Sequence, residues 1–292
     1  MLINPLNWNR MKSPRYIFAS LLVLALFCIV SKTLAQTMVL DSSNVVVGYR
    51  YSCNTRNAEG NPVKEEYDIA VLIGRKIVAQ QGLCELTLDE DNNDEYVRIL
   101  TERQHNIPKI YMGWPDEDKM TFRETVLMSE YETVEAKKDV NWTILPDTLT
   151  INGYACRKAC ANVHGRQWTV WFAEELPMPY GPWLLRGLPG LILQAEADNV
   201  HRFTMTMLSA ASYPIRYDKR IDVVKTSREK FMRYRDKVTK NPLYLSNPSS
   251  LVSPDLLRHK NIYQFGNGTE FVEMNGQIFN THPNAFIPLE VE

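Results

Sequence analysis

Hydrophobic and polar residues alternate with a period of two through much of the chain, and this alternation predicts a protein built mainly from β-strands. The clearest runs are Tyr154–Val163 with residues 166–172, and Leu191–Ala197 with residues 201–208. Two alternating runs separated by a pair of turn residues are typical of a β-hairpin. We therefore predict two antiparallel hairpins, the first of which turns at His164-Gly165.

A helical period occurs in residues 226–240. Thr226 and Glu229 have the spacing of an N-terminal capping box, and apolar residues then recur three or four positions apart on one face. Together with the strands, this segment predicts a mainly β (α+β) fold, in which one or two helices cover a curved antiparallel sheet or half-barrel. No internal repeat divides residues 36–292, so we predict a single domain there.

The first 35 residues have the organisation of a secretory signal peptide. A basic segment precedes an apolar run over residues 16–30, and small residues then lead to a predicted cleavage between Ala35 and Gln36. The apolar run has 15 residues, which is shorter than the roughly 20 that a membrane-spanning helix needs. We therefore expect an exported protein with no transmembrane anchor after cleavage.

Charge excludes one class of partner. The whole chain has a formal net charge of −1, and cleavage removes four basic residues and no acidic residue. The exported portion is therefore mildly acidic, and it has no basic stripe that could pair with a phosphate backbone. We expect no binding of nucleic acid.

Four cysteines remain in the exported portion: Cys53, Cys84, Cys156 and Cys160. An even number in an exported chain favours disulfides. Cys156 and Cys160 lie four positions apart in a predicted strand, where they would be separated by roughly 13 Å, more than the roughly 7 Å that a disulfide allows between Cα atoms. The pairing is otherwise open, and buried free thiols are the alternative.

Residues 181–193, GPWLLRGLPGLIL, contain three glycines and two prolines and end as an apolar run. Glycine permits a positive φ and close approach of two backbones, while proline restricts φ and lacks a backbone donor. Residues 181–190, here called the Gly-Pro loop, are therefore predicted to form a rigid loop that leads a strand into the core. Its structural residues are Gly187, Pro189 and Gly190.

The Gly-Pro loop resembles the sequence that gives the GLPGLI family of exported bacterial envelope proteins its name. Residues 67–74, 142–159 and 165–172 are similar to further elements of that family, and the similarity extends from about residue 44 to the C-terminus. The resemblance implies a location in the periplasm, at the outer-membrane surface or outside the cell. It implies outer-membrane transport components as partners, and it implies no activity, because the family has no established one.

An aromatic cluster is the candidate binding site. Trp168 and Phe172 share one face of a predicted strand, Trp183 follows nearby, and Arg166 precedes them. These rings could line a cavity for an apolar or lipid-like ligand, with Arg166 orienting a polar head. The alternative is that the same rings fill the core.

The sequence contains none of the common catalytic motifs, such as H-E-x-x-H, G-x-S-x-G or a phosphate-binding loop. Its five histidines are scattered, so no metal site and no cofactor are expected. We therefore predict a non-enzymatic binding module for an apolar or lipid-like ligand. The alternatives are an interaction subunit of an outer-membrane transport complex, which would use an exposed sheet edge or apolar patch, and a hydrolase with a dispersed carboxylate site.

One modification is also expected. A short extended run over residues 142–145 ends at Pro146, so the following Asp147-Thr148-Leu149 is predicted to lie in a loop. This tripeptide resembles the O-glycosylation signal used by bacteria in which the GLPGLI family is common. Thr148 is therefore a candidate acceptor for O-glycosylation.

Overall fold

The structure is a computed structural model that describes residues 37–56, 60–86, 107–126, 129–219, 223–239, 260–264, 270–274, 277–281 and 288–290. The predicted signal peptide and its cleavage site at Ala35 and Gln36 lie outside these residues. The chain divides into two compact units. The smaller is residues 1–40 with 216–222, and its described residues other than Lys219 belong to strands. The larger is residues 41–215 with 223–292.

The described residues form sixteen strands, one 3-10 helix at Leu83–Leu86 and one α-helix, α1, at Arg228–Thr239. The strands are β1 (Thr37–Arg56), β2 (Pro62–Gly74), β3 (Val78–Gly82), β4 (Lys109–Met112), β5 (Lys119–Val126), β6 (Ser129–Ala136), β7 (Thr143–Ile151), β8 (Tyr154–Val163), β9 (Arg166–Ala173), β10 (Leu191–Ala197), β11 (His201–Ser209), β12 (Pro214–Asp218), β13 (Val224–Thr226), β14 (Lys260–Gln264), β15 (Glu270–Met274) and β16 (Gln277–Thr281).

Strands β1–β13 form one open sheet in the order β13-β6-β5-β4-β3-β2-β1-β11-β10-β9-β8-β7, with β12 outside this linear order. The pairing of β13 with β6 is parallel, whereas the other neighbours along this order are antiparallel. Strands β14–β16 form a separate antiparallel sheet. The prediction of a mainly β protein with an antiparallel sheet is confirmed, and β7 and β13 are the two ends of the large sheet.

Helix α1 packs at one end of this sheet. Phe231 and Met232 form a small apolar cluster with Val126 of β5, and the ring of Tyr131 on β6 lies 5.4 Å from that of Phe231. In the described residues the helical part of the predicted fold is therefore this one helix rather than a covering layer. Among the same residues, no helix combines the length and the apolar composition needed to cross a membrane.

The start of α1 differs from the prediction by one residue. Ser227, not Thr226, accepts the capping hydrogen bond, because its Oγ faces the backbone N–H of Lys230 at 3.4 Å. Thr226 instead ends β13 and pairs with Thr133 of β6. The parallel pairing to a strand far away in the sequence therefore decides where the helix begins.

Strand β7 extends beyond the end that the sequence predicted. It continues through Pro146 to Ile151, so Thr148 lies in an exposed strand and the loop prediction is wrong. Proline lacks a backbone donor and is tolerated at a sheet edge. Its position falls where the pairing with β8 is irregular, between Ile144 and Thr148.

The Gly-Pro loop lies against the main core. Trp183, Leu185 and Leu188 are all at most 2% exposed and belong to the apolar cluster that unites the sheet. Gly190 has no room for a side chain, because a Cβ there would lie 2.0 Å from the carbonyl oxygen of Ala173 on β9. Gly187 has a φ of +93°, which favours glycine, but has open space around it.

Candidate functional site

The aromatic residues of the predicted site are part of the core. Trp168 and Phe172 are fully buried and Trp183 is 1% exposed. The ring of Trp168 lies 5.5 Å from that of Trp183 and 5.9 Å from that of Phe203. The structure therefore brings the two tryptophans together, but it surrounds them with protein side chains, as the core interpretation expects.

Arg166 is also engaged inside the protein. Its Nη1 lies 2.5 Å from Oδ2 of Asp198, and its Nε and Nη2 donate to the carbonyl oxygen of Pro288 at 3.0 Å and 2.7 Å. The residue is 8% exposed. Its guanidinium thus ties the start of β9 to the segment 288–290 instead of facing a ligand.

His201 completes this internal contact. Its Nε2 lies 3.2 Å from the carbonyl oxygen of Pro288, which can only accept, so Nε2 carries the proton and Nδ1 accepts from the hydroxyl of Tyr51 at 2.8 Å. Burial, assisted by the nearby charge of Arg166, lowers the pKa of His201 from 6.5 to about 4. The imidazole is therefore neutral at physiological pH and acts as a structural bridge.

We expect this histidine to make stability fall at acidic pH. In the unfolded chain His201 gains a proton near pH 6.5, whereas in the folded protein it does so near pH 4. The free energy of unfolding therefore decreases as the pH falls from about 6.5 to about 4, by at most about 3 kcal/mol from this residue. Urea denaturation at several pH values, with His201→Gln as the comparison, measures the effect: the variant should lose this part of the pH dependence. An unchanged pH profile in His201→Gln contradicts the assignment.

The structure places Cys53, Cys84, Cys156 and Cys160 as thiols, and the disulfides that the sequence suggested stay a prediction. The structure has no disulfide among its described residues. Cys53 and Cys156 are buried, and Cys84 and Cys160 are half-buried. Burial raises the pKa of the Cys53 thiol to about 11 and also raises that of Cys156, so both are protonated and unreactive near neutral pH.

A cluster of buried charges that the sequence did not predict joins α1 to the sheet and to the segment 288–290. This charge clamp consists of Arg228 and Arg235 on α1, Glu124 on β5, and Glu290. Each side chain is at most 11% exposed. Nη1 of Arg235 lies 3.3 Å from Glu124 Oε2 and 3.1 Å from Glu290 Oε1, while Arg228 contacts the same two carboxylates.

The charge clamp is electrically balanced, with two guanidinium groups and two carboxylates. Burial by itself lowers the pKa of Arg228, but the charges of Glu124 and Glu290 outweigh burial and raise it. Buried charges of this kind are tolerated only when they are paired and hydrogen-bonded. We interpret the charge clamp as structural, because its groups are already neutralised by one another.

At least two clefts lined by described residues are open to solvent. The larger, here called the loop cleft, has a volume of about 230 Å³ and lies beside the Gly-Pro loop. Its apolar lining is Met120, Ala136, Val140, Val163 and Leu184, and its polar lining is Glu135, Lys138, Asp139, Asn162, His164 and Arg186. The smaller, of about 60 Å³, lies beside the 3-10 helix and includes the Glu85–Lys109 ion pair. Neither cleft includes a member of the predicted aromatic site.

Strand β7 presents an exposed edge. Seven of its nine residues are exposed and none is buried, and Ile144 and Leu149 are 38% and 46% exposed. The other end of the sheet, β13, has three residues. Among the strands that the structure describes, the longer edge without a neighbouring strand is therefore β7.

The hydrogen-bonding groups on the free side of β7 follow from the turn. Asn152 and Gly153 have φ angles of 51° and 84°, as in a two-residue type I′ hairpin, and Ile151 pairs with Tyr154. The residues that flank such a turn form the first hydrogen-bonded pair, and hydrogen-bonded pairs alternate along an antiparallel ladder. The backbone groups of Thr148 and Thr150 therefore point away from β8.

Comparisons with known proteins find only a distant structural likeness. The chain matches no protein-family model and no curated protein. Two solved structures, "Structure of PNGF-II in P21 space group" and "Structure of PNGF-II in C2 space group", align with TM-scores of 0.43 and 0.40 at 14% identity. Each alignment covers 80% of this chain and 40% of the other, so this chain spans less than half the length of the PNGF-II chains.

Proposed function

We propose that this protein is an exported, non-enzymatic interaction module of the bacterial cell envelope, which binds an extended segment of a partner protein along β7. The observation that carries this proposal is the exposed edge of β7, which lies at the end of a large open sheet and has no second neighbour among the described strands. An unpaired edge is a template for another strand, and main-chain hydrogen bonds supply affinity in such complexes. Export and membership of the GLPGLI family are parts of the same proposal and rest on the sequence.

The side chains of β7 fit this use. Leu149 is an exposed apolar residue within the regular part of the strand, between the two threonines whose backbone groups face outward. Pro146 and Asp147 precede that part, and proline and charge limit indiscriminate pairing at an edge. The segment available to a partner is therefore short, from Thr148 to Ile151, and its occupant is an extended peptide segment rather than a folded surface.

The half-barrel of the sequence analysis belongs to this proposal. His164 at the β8–β9 turn lies 4.0 Å from Glu135 on β6, although β6 and β8 stand near opposite ends of the sheet order. A contact of this kind requires strong curvature, which supports a half-barrel. The outer edge of β7 remains free of this contact.

The other two functions receive less support. A cavity for a lipid-like ligand lined by Trp168, Phe172 and Trp183 requires these rings to leave a packed core. A hydrolase with a carboxylate site requires a carboxyl group that can exchange a proton with the substrate. Glu124 and Glu290 are instead each paired with two arginines. O-glycosylation of Thr148 stays a prediction, and the exposure of that residue on β7 is compatible with it.

A proline at position 150 tests the edge directly. Thr150→Pro removes the outward N–H and leaves the hydrogen bonds to β8 in place, so we expect partner binding to fall at least about tenfold with little loss of stability. The matched control Thr150→Val keeps that N–H and the β-branched shape. A photo-reactive residue at position 149 of the full chain, expressed in its own envelope, reports the contact by cross-linking.

The expected result is a cross-linked partner in the Thr150→Val background that disappears in the Thr150→Pro background, with equal denaturation midpoints for both proteins. A cross-link of the same mass as two copies of this chain would identify the partner as a second copy. Equal cross-linking in both backgrounds contradicts pairing along β7.

A further inference from the structure

Arg186 at the loop cleft has no acidic partner among the described side chains. Its Nη2 donates to the backbone carbonyl oxygen of Lys138 at 2.5 Å, and its Nε is buried without a hydrogen bond. No carboxylate oxygen of a described residue lies within 4.0 Å of this guanidinium, the distance that defines an ion pair. The more distant charge of Asp139 acts to raise the pKa of Arg186. Burial lowers the pKa of this guanidinium, so the cleft holds a partly desolvated positive charge that is not paired with a carboxylate of the described residues.

Glu135 provides the opposite charge on the same cleft. Its carboxylate is 19% exposed, and within the described residues its nearest basic group is the imidazole of His164, at 4.0 Å. That imidazole also lies 3.6 Å from Glu290, so Glu135 does not hold it exclusively. The loop cleft therefore contains one guanidinium and one carboxylate that form no close ion pair with any residue that the structure describes.

Apolar side chains also line the loop cleft. Met120, Val163 and Leu184 line it and are each at most 5% exposed. The volume of about 230 Å³ accommodates a compact molecule with a small hydrocarbon group.

We propose that the loop cleft binds a small zwitterion, of the class of free amino acids and dipeptides with an apolar side chain. Arg186 receives the carboxylate, Glu135 receives the ammonium group, and the apolar side chain lies against the apolar lining near Leu184. Charge-assisted hydrogen bonds of both signs become available at once. This site is separate from β7 and does not depend on the proposed pairing there.

Simpler ligands satisfy only part of the site. A lone anion such as phosphate is attracted by Arg186 but repelled by the carboxylates of Glu135 and Asp139. A lone cation is attracted by those carboxylates but repelled by Arg186 and Lys138. A hydrocarbon leaves every one of these charges unpaired and desolvated, which is costly.

The experiment compares three probes by calorimetric titration of the full exported chain at pH 7: L-leucine, L-leucinamide, which lacks the carboxylate, and N-acetyl-L-leucine, which lacks the ammonium charge. We expect leucine to bind at least about tenfold more tightly than either analogue, as the loss of one charged hydrogen bond predicts. The same comparison with glycyl-L-leucine covers the dipeptides. Failure of both leucine and glycyl-leucine to bind below about 10 mM overturns the proposal, as does equal binding of all three leucine probes.

Two variants connect the probes to the residues. Arg186→Gln should lower the affinity for leucine to that for leucinamide and leave the affinity for leucinamide unchanged. Glu135→Gln should lower the affinity for leucine to that for N-acetyl-leucine and leave the affinity for N-acetyl-leucine unchanged. Arg202→Gln is the control, since Arg202 is an exposed arginine paired with Glu196 elsewhere on the sheet. Variants whose affinities for leucine and for both analogues fall equally would contradict the assigned roles. If a variant fails to fold, the comparison of the three probes on the wild-type protein decides the outcome.

Discussion

Gly190→Ala is expected to unfold the protein under conditions in which the wild type is stable. A methyl group at position 190 would lie 2.0 Å from the carbonyl oxygen and 2.5 Å from the carbonyl carbon of Ala173. Both atoms belong to the backbone of β9, which is paired on both sides with β8 and β10. The strand cannot move away without breaking its hydrogen bonds, so we expect a loss of more than about 3 kcal/mol in the free energy of unfolding.

Gly187→Ala is the matched control in the same loop. Gly187 has a positive φ of +93°, but no atom lies within 4 Å of the point that a Cβ would occupy. An alanine there therefore lowers the free energy of unfolding only through backbone strain, by about 1–2 kcal/mol. Urea denaturation followed by circular dichroism measures both variants. A Gly190→Ala protein that is insoluble while Gly187→Ala is soluble gives the same answer, whereas equal midpoints for the two variants would show that the close approach to Ala173 is not limiting.

Glu290→Gln is expected to have the second-largest effect. The neutral amide leaves Arg228 and Arg235, both nearly buried, with Glu124 as their one shared carboxylate in the charge clamp. Removal of one member of a buried ionic group typically costs about 3–5 kcal/mol, because a desolvated charge is left uncompensated. We therefore expect a loss of that size in urea denaturation.

Glu229→Gln provides the comparison on the same helix. Glu229 is 73% exposed and contacts Arg233 at the surface, so its neutralisation should change stability by less than about 0.5 kcal/mol. Adding Arg235→Met to Glu290→Gln restores charge balance and should recover part of the loss. A Glu290→Gln protein as stable as Glu229→Gln would mean that the charge clamp contributes little to folding.

The local pattern identified strands that have a neighbour on both sides in the sheet. The boundaries of β8 and β10 agree with those predicted, because their alternation reflects one face against the core and one toward solvent, and that requirement is met residue by residue. The outcome differed for β7. Its continuation past Pro146 depends on lying at a sheet edge, and no local pattern states which strand ends a sheet.

The candidate site was harder to predict for a related reason. Trp168, Phe172 and Trp183 are large rings in any interpretation of the sequence, but whether they line a cavity or fill a core depends on what packs opposite them. Phe203 and the Gly-Pro loop occupy that space. Which cysteines could approach one another also depends on the tertiary structure, since Cys53 and Cys156 are buried on different strands.

The sequence by itself determined the class of fold, the hairpins β8–β9 and β10–β11, and the need for glycine in the Gly-Pro loop. Period-two alternation and the conformational preferences of turn residues act between neighbours along the chain, so they can be recognised without the tertiary structure. The tertiary structure alone decided which residues meet across long separations. Glu124, Arg228 and Glu290 form one buried cluster, and Glu135 and Arg186 line one cleft, although strands and loops intervene between them. Such groups are brought together by the pairing of strands and the packing of the helix and loops on the sheet, and desolvation then makes their charges significant.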